Sequence, residues 1–182
     1  LGRAFFIFWM EKFMFKPVDS KVNFPELEET ILKWWENNEI PKKYMSRNEF
    51  SKKRYSFIDG PITANNPMGV HHAWGRSYKD LFARFRTMQG YKQRYQNGFD
   101  GQGLWIEVEV EKELGFSSKT DIESYGVDKF VTLCKERVQR FSDVITKQSK
   151  QLAYWMHWDN SYHTMADDNN YTIWYFLKTA LR

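Results

Sequence analysis

The sequence predicts an α/β fold with a parallel sheet, preceded by an N-terminal helical extension. Three observations predict it. Residues 54 to 60, Arg-Tyr-Ser-Phe-Ile-Asp-Gly, read as a short strand running into a turn. From His72 to Met88, apolar residues recur at Trp74, Tyr78, Leu81, Phe85 and Met88, the spacing of one helix face, and Gly90 follows as a stop. Residues 91 to 99 then make a run short enough for a second strand. Strand, loop, helix and strand in this order form a βαβ unit, whose crossover implies parallel strands.

The chain opens with an apolar run, Ala4 to Met10, broken by Glu11 and Lys12. It is too short to span a bilayer and lacks the small-residue cleavage site of a secretory signal, so a cytoplasmic location and no membrane partner are expected. The chain begins without Met and stops inside its last helical pattern. It is therefore read as a piece of a longer frame, with residues 1–20 as a tail and 21–53 as the helical extension.

Within that extension, residues 23–38 predict an amphipathic helix. Asn23 stands as its cap, Pro25 falls in the first turn and Glu26 is placed for a capping box. Leu27, Ile31 and Trp34 form the expected buried stripe, and residues 41–53 read as a polar connector. Tyr55, Phe57 and Ile58 predict a strand buried on both faces. Residues 104–115 carry two periods: Ile106, Val108 and Val110 alternate as in a strand, yet the glutamates and the closing Gly115 favour a helix, which is the reading adopted. A long helix follows from Val127 to about Leu152, with Phe130, Cys134, Val138, Phe141 and Ile145 in register. The last helix starts at Asp167, capped by Asp167 or Asp168, with Ile173, Trp174 and Leu177 facing inward.

Composition narrows the chemistry. A chain of 182 residues, 42% hydrophobic and 27% charged, is long enough for one domain with a real core. A net charge of +4 permits a polyanionic partner without demanding one. The charge is uneven: Arg76, Lys79, Arg84, Arg86, Lys92 and Arg94 face a single acid, Asp80, between His71 and Gln96. Most of these are expected on a solvated helix face. The alternative is a positive field around a nucleotide or RNA end, which gains weight if the neighbouring loop binds phosphate. The lone Cys134 excludes an internal disulfide or a Cys-rich zinc site in this chain, and its place on an apolar helix side makes it a small core residue.

In open α/β sheets ligands sit at the carboxyl ends of strands, where two loops qualify. The first, Gly60 to His72, enters a helix N-terminus, whose free N–H groups and dipole favour an anion. Gly69 permits close backbone approach, and His71 and His72 can donate to phosphate oxygens. Metal binding by this pair is the weaker reading, because adjacent helix residues point about 100° apart and zinc needs three or four ligands. His157 and His163 read as surface or capping residues. The second loop presents Asp100 among Gly98, Gly101 and Gly103, where a carboxylate can grip an ammonium group. Anion donors beside a lone carboxylate suit a zwitterion meeting a nucleotide. The loop is neither a P-loop nor a Gly-x-Gly-x-x-Gly turn.

The segment GPITANNPMGVHHAWGRSYKDLFARFRTMQGY, followed by NGFDGQGLWIEVEVEKELG, resembles the start of the catalytic domain of class I aminoacyl-tRNA synthetases, most of all the isoleucyl enzymes. Three signatures align in order: Gly-Pro-Pro-x-Ala-Asn, His-x-Gly-His and Gly-Trp-Asp-x-His-Gly-Leu. Downstream, IESYGVDKFVTLCKERV, LAYWMHWDNSYHTM and NNYTIWYFLK resemble the same family, so the likeness runs from about Val22 to the end.

The resemblance implies that residues 54–182 are the first half of a Rossmann-type parallel-sheet catalytic domain. It implies ATP, with Mg2+, as a substrate, isoleucine as the amino acid and tRNA as the acceptor, with no metal bound by this segment. His72 matches the last His of its motif and would hydrogen-bond the ATP phosphates, with Gly69 and His71 beside it in the catalytic and ATP-binding set. Gly60 and Pro61 would line the amino-acid pocket, and Asp100 would hold the α-ammonium. Protein groups would position and stabilise charge rather than attack covalently.

The departures are specific. The motif reads Gly-Val-His-His, with Gly69 where the first His is usual and His71 where Gly is usual, an exchange seen in a subset of isoleucyl enzymes. Gly101 and Gln102 stand for Thr and His, which leaves the role of Gln102 open, and Trp105 stands for a common Pro. No Lys-Met-Ser-Lys-Ser loop, editing domain, second Rossmann half or anticodon-binding domain is present, so the piece alone is expected neither to charge tRNA nor to make adenylate at a useful rate. Valyl or leucyl specificity, and a non-catalytic nucleotide-binding module, stand as the rival readings.

Overall fold

The computed structural model describes residues 20–181. The apolar run Ala4 to Met10 and nearly all of the N-terminal tail lie outside them. The elements are α1 (Phe24–Asn37), α2 (Ile40–Ser46), β1 (Arg54–Ile58), β2 (Ile62–Thr63), α3 (Val70–Met88), β3 (Lys92–Gln96), β4 (Gly98–Asp100), α4 (Leu104–Leu114), α5 (Lys119–Tyr125), α6 (Val127–Gln151), β5 (Tyr162–His163) and α7 (Asp167–Ala180).

The βαβ unit is present. β1 pairs in parallel with β3, from Arg54 opposite Lys92 to Ile58 opposite Gln96. The same two chain runs pair again further on, as β2 with β4, and β5 adds to the far side of β4, all parallel. Gly90, at φ +83°, turns the chain after α3, and its N–H donates to the Thr87 carbonyl. The second strand is expected unbroken but is interrupted at Asn97, whose carbonyl accepts the Tyr162 N–H at 3.1 Å while its side chain turns inward. β1 likewise gives way at Asp59, whose N–H still reaches the Gln96 carbonyl at 2.9 Å.

Residues 104–114 are helical, and Gly115 at φ +72° ends the helix. The physical reason is visible on both sides of α4. Ile106 and Val110, one turn apart, are buried, while the exposed Glu107 and the half-buried Glu111 pair with Lys119. α6 buries Phe130, Val138 and Ile145, with Cys134 and Phe141 packed at the margin, in the expected register. Burial, with Glu107 and Glu111 nearby, pushes the Cys134 thiol above its ordinary pKa, as suits a packing residue rather than a nucleophile.

One core cluster gathers Ala64, Phe99, Ile106, Val138 and Ile145 between the second strand pair, α4 and α6. The other joins Ala83 of α3 and Tyr95 of β3 with Tyr154 and Met156. Ile145 is completely buried, so Ile145→Ala is expected to cost about 2–5 kcal/mol of stability through lost burial and a residual cavity. Denaturant unfolding of the variant and its parent checks this, and a loss below about 1 kcal/mol would contradict the packing described.

Several expectations need correction. Leu27, Ile31 and Trp34 are exposed; α1 docks instead through the adjacent Trp35, whose ring lies 5.2 Å from that of Trp155. The connector after α1 is partly helical, with Pro41 in the first turn of α2 and the Tyr44 ring tilted against that of Trp155 at 5.0 Å. β1 is not buried on both faces: Tyr55 and Phe57 are half-buried on one face, while Ser56 and Ile58 are exposed on the other. Ile173, Trp174 and Leu177 of α7 are exposed, and Ala166 is the cap residue, with Asp167 and Asp168 in the first turn facing the helix dipole. His163 is neither surface nor cap, since its ring packs on Phe99 at 5.1 Å. His157 sits half-buried with Nδ1 3.1 Å from the Tyr95 carbonyl oxygen.

Candidate functional site

The site is built where the strands end. Gly60 and Pro61 lie exposed between β1 and β2, and Thr63 of β2 stands opposite Asp100 of β4. The Asp100 carboxylate is oriented by three donors. Thr63 Oγ1 donates to Oδ2 at 3.2 Å, while the Gln102 N–H and Thr164 Oγ1 donate to Oδ1 at 3.1 and 3.3 Å. Thr164 Oγ1 also accepts the Gly101 N–H at 2.9 Å, which ties the end of β5 to this loop. Among the described residues no Lys, Arg or His pairs with Asp100. The arrangement is a fixed, half-exposed negative charge with an open claim on a cation. Gln102 adds its side chain to the frame by donating to the Thr164 carbonyl at 3.1 Å.

Gly98 is required beside this carboxylate, because a Cβ there would lie 2.2 Å from the Tyr162 ring. The Tyr162 hydroxyl in turn donates to the Asp59 carbonyl at 3.2 Å.

At the other loop, Gly69 caps α3 and the His pair opens it. The Gly69 N–H donates to His72 Nδ1 at 3.1 Å. With Nδ1 an acceptor, the neutral ring carries its proton on Nε2, as a donor. Burial first, then the charges of His71 and Arg76, hold the His72 pKa below its ordinary value. His72 is thus a neutral donor at physiological pH, beside a helix end whose Val70 and His71 N–H groups have no backbone partner. The two imidazoles lie 3.9 Å apart. A Cβ at Gly69 would come within 2.9 Å of the His71 ring, so that imidazole fills the volume a side chain at position 69 would need.

Beneath both loops lies a polar cluster that the sequence reading missed. Asp59, 1% exposed, pairs with Arg76 at 3.0 Å and Lys79 at 2.5 Å. Arg76, expected on a solvated face, is itself 1% exposed. The signal that was available is the spacing: Arg76 and Lys79 fall on the helix side opposite Trp74, Tyr78 and Leu81, which are exposed here. Thr63 and Thr164 carry no comparable signal, since they reach Asp100 only through strand pairing.

One cavity of about 1100 Å³ opens between α1, α2 and the loop after α6, and another of about 420 Å³ lies beside Met68 and Gly69. Neither is lined by His72 or Asp100, and both of these residues are half-buried. No group of three or more His, Cys, Asp or Glu among the described residues is arranged to hold a metal, and no helix among them is long and apolar enough to cross a membrane.

The sequence is similar to those of known proteins. The chain is 43% identical over 167 residues to an isoleucine–tRNA ligase of Dehalococcoides mccartyi, and 41% identical over 165 residues to those of Clostridium acetobutylicum and Thermus thermophilus. Each match covers 91% of this chain and 16% of the relative, so the chain spans about a sixth of the curated relatives it matches. In fold it resembles the LeuRS of Agrobacterium radiobacter K84, solved in a ternary complex with tRNA and LeuAMS, with a TM-score of 0.55 at 17% identity over 78% of this chain and 16% of that one. Residues 30–181 match the family model of the class I tRNA synthetases for I, L, M and V, and the chain belongs to that family.

Proposed function

We propose that this chain supplies the substrate-gripping part of an isoleucine–tRNA ligase, with residues 21–53 a helical extension and residues 54–182 the first half of the catalytic domain. The observation that carries the reading is Asp100: a carboxylate held by three donors, with no cation partner among the described residues, on the loop next to a neutral His72 donor at the start of α3. The choice of isoleucine rests on the identity to isoleucine–tRNA ligases.

In this reading Asp100 accepts hydrogen bonds from the α-ammonium of isoleucine, and Gly60 and Pro61 border the same pocket. ATP enters with Mg2+, which its phosphates and water hold. His72 Nε2–H donates to a phosphate oxygen, with His71 and the free N–H groups of α3 beside it. A carboxylate oxygen of isoleucine attacks the α-phosphorus, forming the acyl–phosphate bond, and the bond to pyrophosphate breaks with its electrons. A tRNA hydroxyl then attacks the acyl carbon and AMP leaves. No covalent nucleophile of the protein is needed; orientation and charge placement do the catalysis. Such a ligase would work in the cytoplasm.

Amino-acid-dependent exchange of pyrophosphate into ATP tests the reading on the protein as its gene encodes it. The expected result is the highest kcat/KM with isoleucine. A higher value with valine or leucine reassigns the specificity, and no exchange with any of the three leaves a binding module without catalysis. The isolated 182-residue piece is expected to show no useful exchange.

A further inference from the structure

Arg76 lies four residues after His72, one turn along α3, and is buried with every guanidinium nitrogen engaged. Nε donates to Asp59 Oδ2 at 3.0 Å, and Nη2 lies 3.0 Å from the same oxygen. Nη2 also donates to Asn97 Oδ1 at 2.7 Å, and Nη1 donates to Ser149 Oγ at 2.5 Å. The acceptors come from three separate places. Asp59 immediately precedes Gly60. Asn97 is three residues before Asp100. Ser149 follows Gln148, whose Oε1 accepts the N–H of Met68, the neighbour of Gly69, at 2.7 Å. One planar cation on α3 therefore reaches the segments that carry Gly60 and Asp100, and the part of α6 that holds the loop before His72.

Among the described residues no hydrogen bond runs directly between the His pair and Asp100. Their separation is set through what lies beneath them. A buried ion pair is weak as a source of stability, because desolvation cancels much of the attraction. A rigid fork meeting three acceptors is strong as a source of geometry. We propose that Arg76 is a positioning residue that fixes the distance between the ammonium-binding carboxylate Asp100 and the phosphate-binding start of α3. This rests on the ligase reading above.

The consequence is a separation of kinetic effects. Each substrate alone still meets its own groups, Asp100 or His72, so binding changes little. Attack of the amino-acid carboxylate on phosphorus requires both to be aligned at once, and a shift of about 1 Å costs about a hundredfold.

The experiment is isoleucine-dependent pyrophosphate exchange by the protein as its gene encodes it, with rates expressed per folded active site. Arg76→Gln is expected to lower kcat about a hundredfold, with the KM of isoleucine and of ATP each changed less than about threefold. Arg76→Lys, which keeps the charge beside Asp59 but loses the fork, is expected to recover about tenfold of that loss. Should Arg76→Gln fail to fold, Ser149→Ala carries the test by removing one acceptor, with an expected fall in kcat of about threefold and unchanged KM values. A kcat that stays at the parent value once corrected for the folded fraction, or a loss confined to either KM, overturns the proposal. A parent protein without exchange overturns the ligase reading and this inference with it, whereas an active parent with unaffected variants overturns the inference alone.

Discussion

Asp100→Asn is expected to lower kcat/KM for the amino acid by about a hundredfold, equal to about 3 kcal/mol, with thermal unfolding unchanged. The substitution is nearly isosteric, and the surroundings can absorb it. The amide oxygen can take the place of Oδ1, which accepts from the Gln102 N–H and Thr164 Oγ1, and the Thr63 hydroxyl can rotate to accept from the new amide nitrogen. What vanishes is the charge, which has no ion-pair partner among the described residues to leave stranded. The loss should therefore fall on ammonium binding. The KM of ATP, measured at saturating amino acid, should move by less than about threefold, since a helix end and His72 lie outside this hydrogen-bond set. A loss shared equally between ATP and the amino acid would contradict the assignment.

The second large effect separates the two histidines. His72→Ala is expected to raise the KM of ATP about thirtyfold, in line with loss of one hydrogen bond to a charged group, worth about 2 kcal/mol. His71→Ala is expected to cost less than about fivefold, because its ring closes over Gly69 while His72 is the one oriented by a backbone hydrogen bond. Equal losses would show the ranking to be wrong. The same geometry has a signature in the imidazole titration. Burial and the nearby His71 and Arg76 charges disfavour the protonated ring, so the His72 midpoint, followed by NMR, lies below the ordinary 6.5. Since the folded-state pKa is depressed, folding favours the neutral ring. Stability is therefore full above the unfolded pKa, where the ring is neutral in both states, and falls as pH drops through the unfolded and then the folded pKa, because the unfolded chain takes up the proton first.

The exposed apolar residues have a direct bearing on what could be read in advance. Periodicity correctly placed α3 and α6, because a helix needs an apolar side wherever its partner comes from. Periodicity could not say which side would be covered here. On α6 the apolar stripe meets α4 and the strands, and Val138 and Ile145 are buried. On α3 the stripe of Trp74, Tyr78, Leu81, Phe85 and Met88 is exposed, and the buried side carries Arg76, Ala83 and Thr87. The same mismatch displaces the burial expected for Leu27, Ile31 and Trp34, and for Ile173, Trp174 and Leu177. The chain spans about a sixth of its relatives, so a side-chain pattern alone does not identify what each face meets.

The sequence by itself determined the βαβ order, the glycine that ends α3, the helical state of 104–114 and the two loops that carry Asp100 and the His pair. These follow from local rules, namely residue spacing, turn chemistry and the preferences of helix ends, which act over a few residues. Only the tertiary structure decided that Thr63 and Thr164 orient Asp100, that Asn97 breaks the second strand, and that Arg76 leaves the solvated face to join Asp59, Asn97 and Ser149. Those contacts span 17 to 73 positions in the chain. A guanidinium looks the same in sequence whether it meets water or three buried acceptors. The difference lies in where the strands and α6 bring their polar groups, and that is a property of packing.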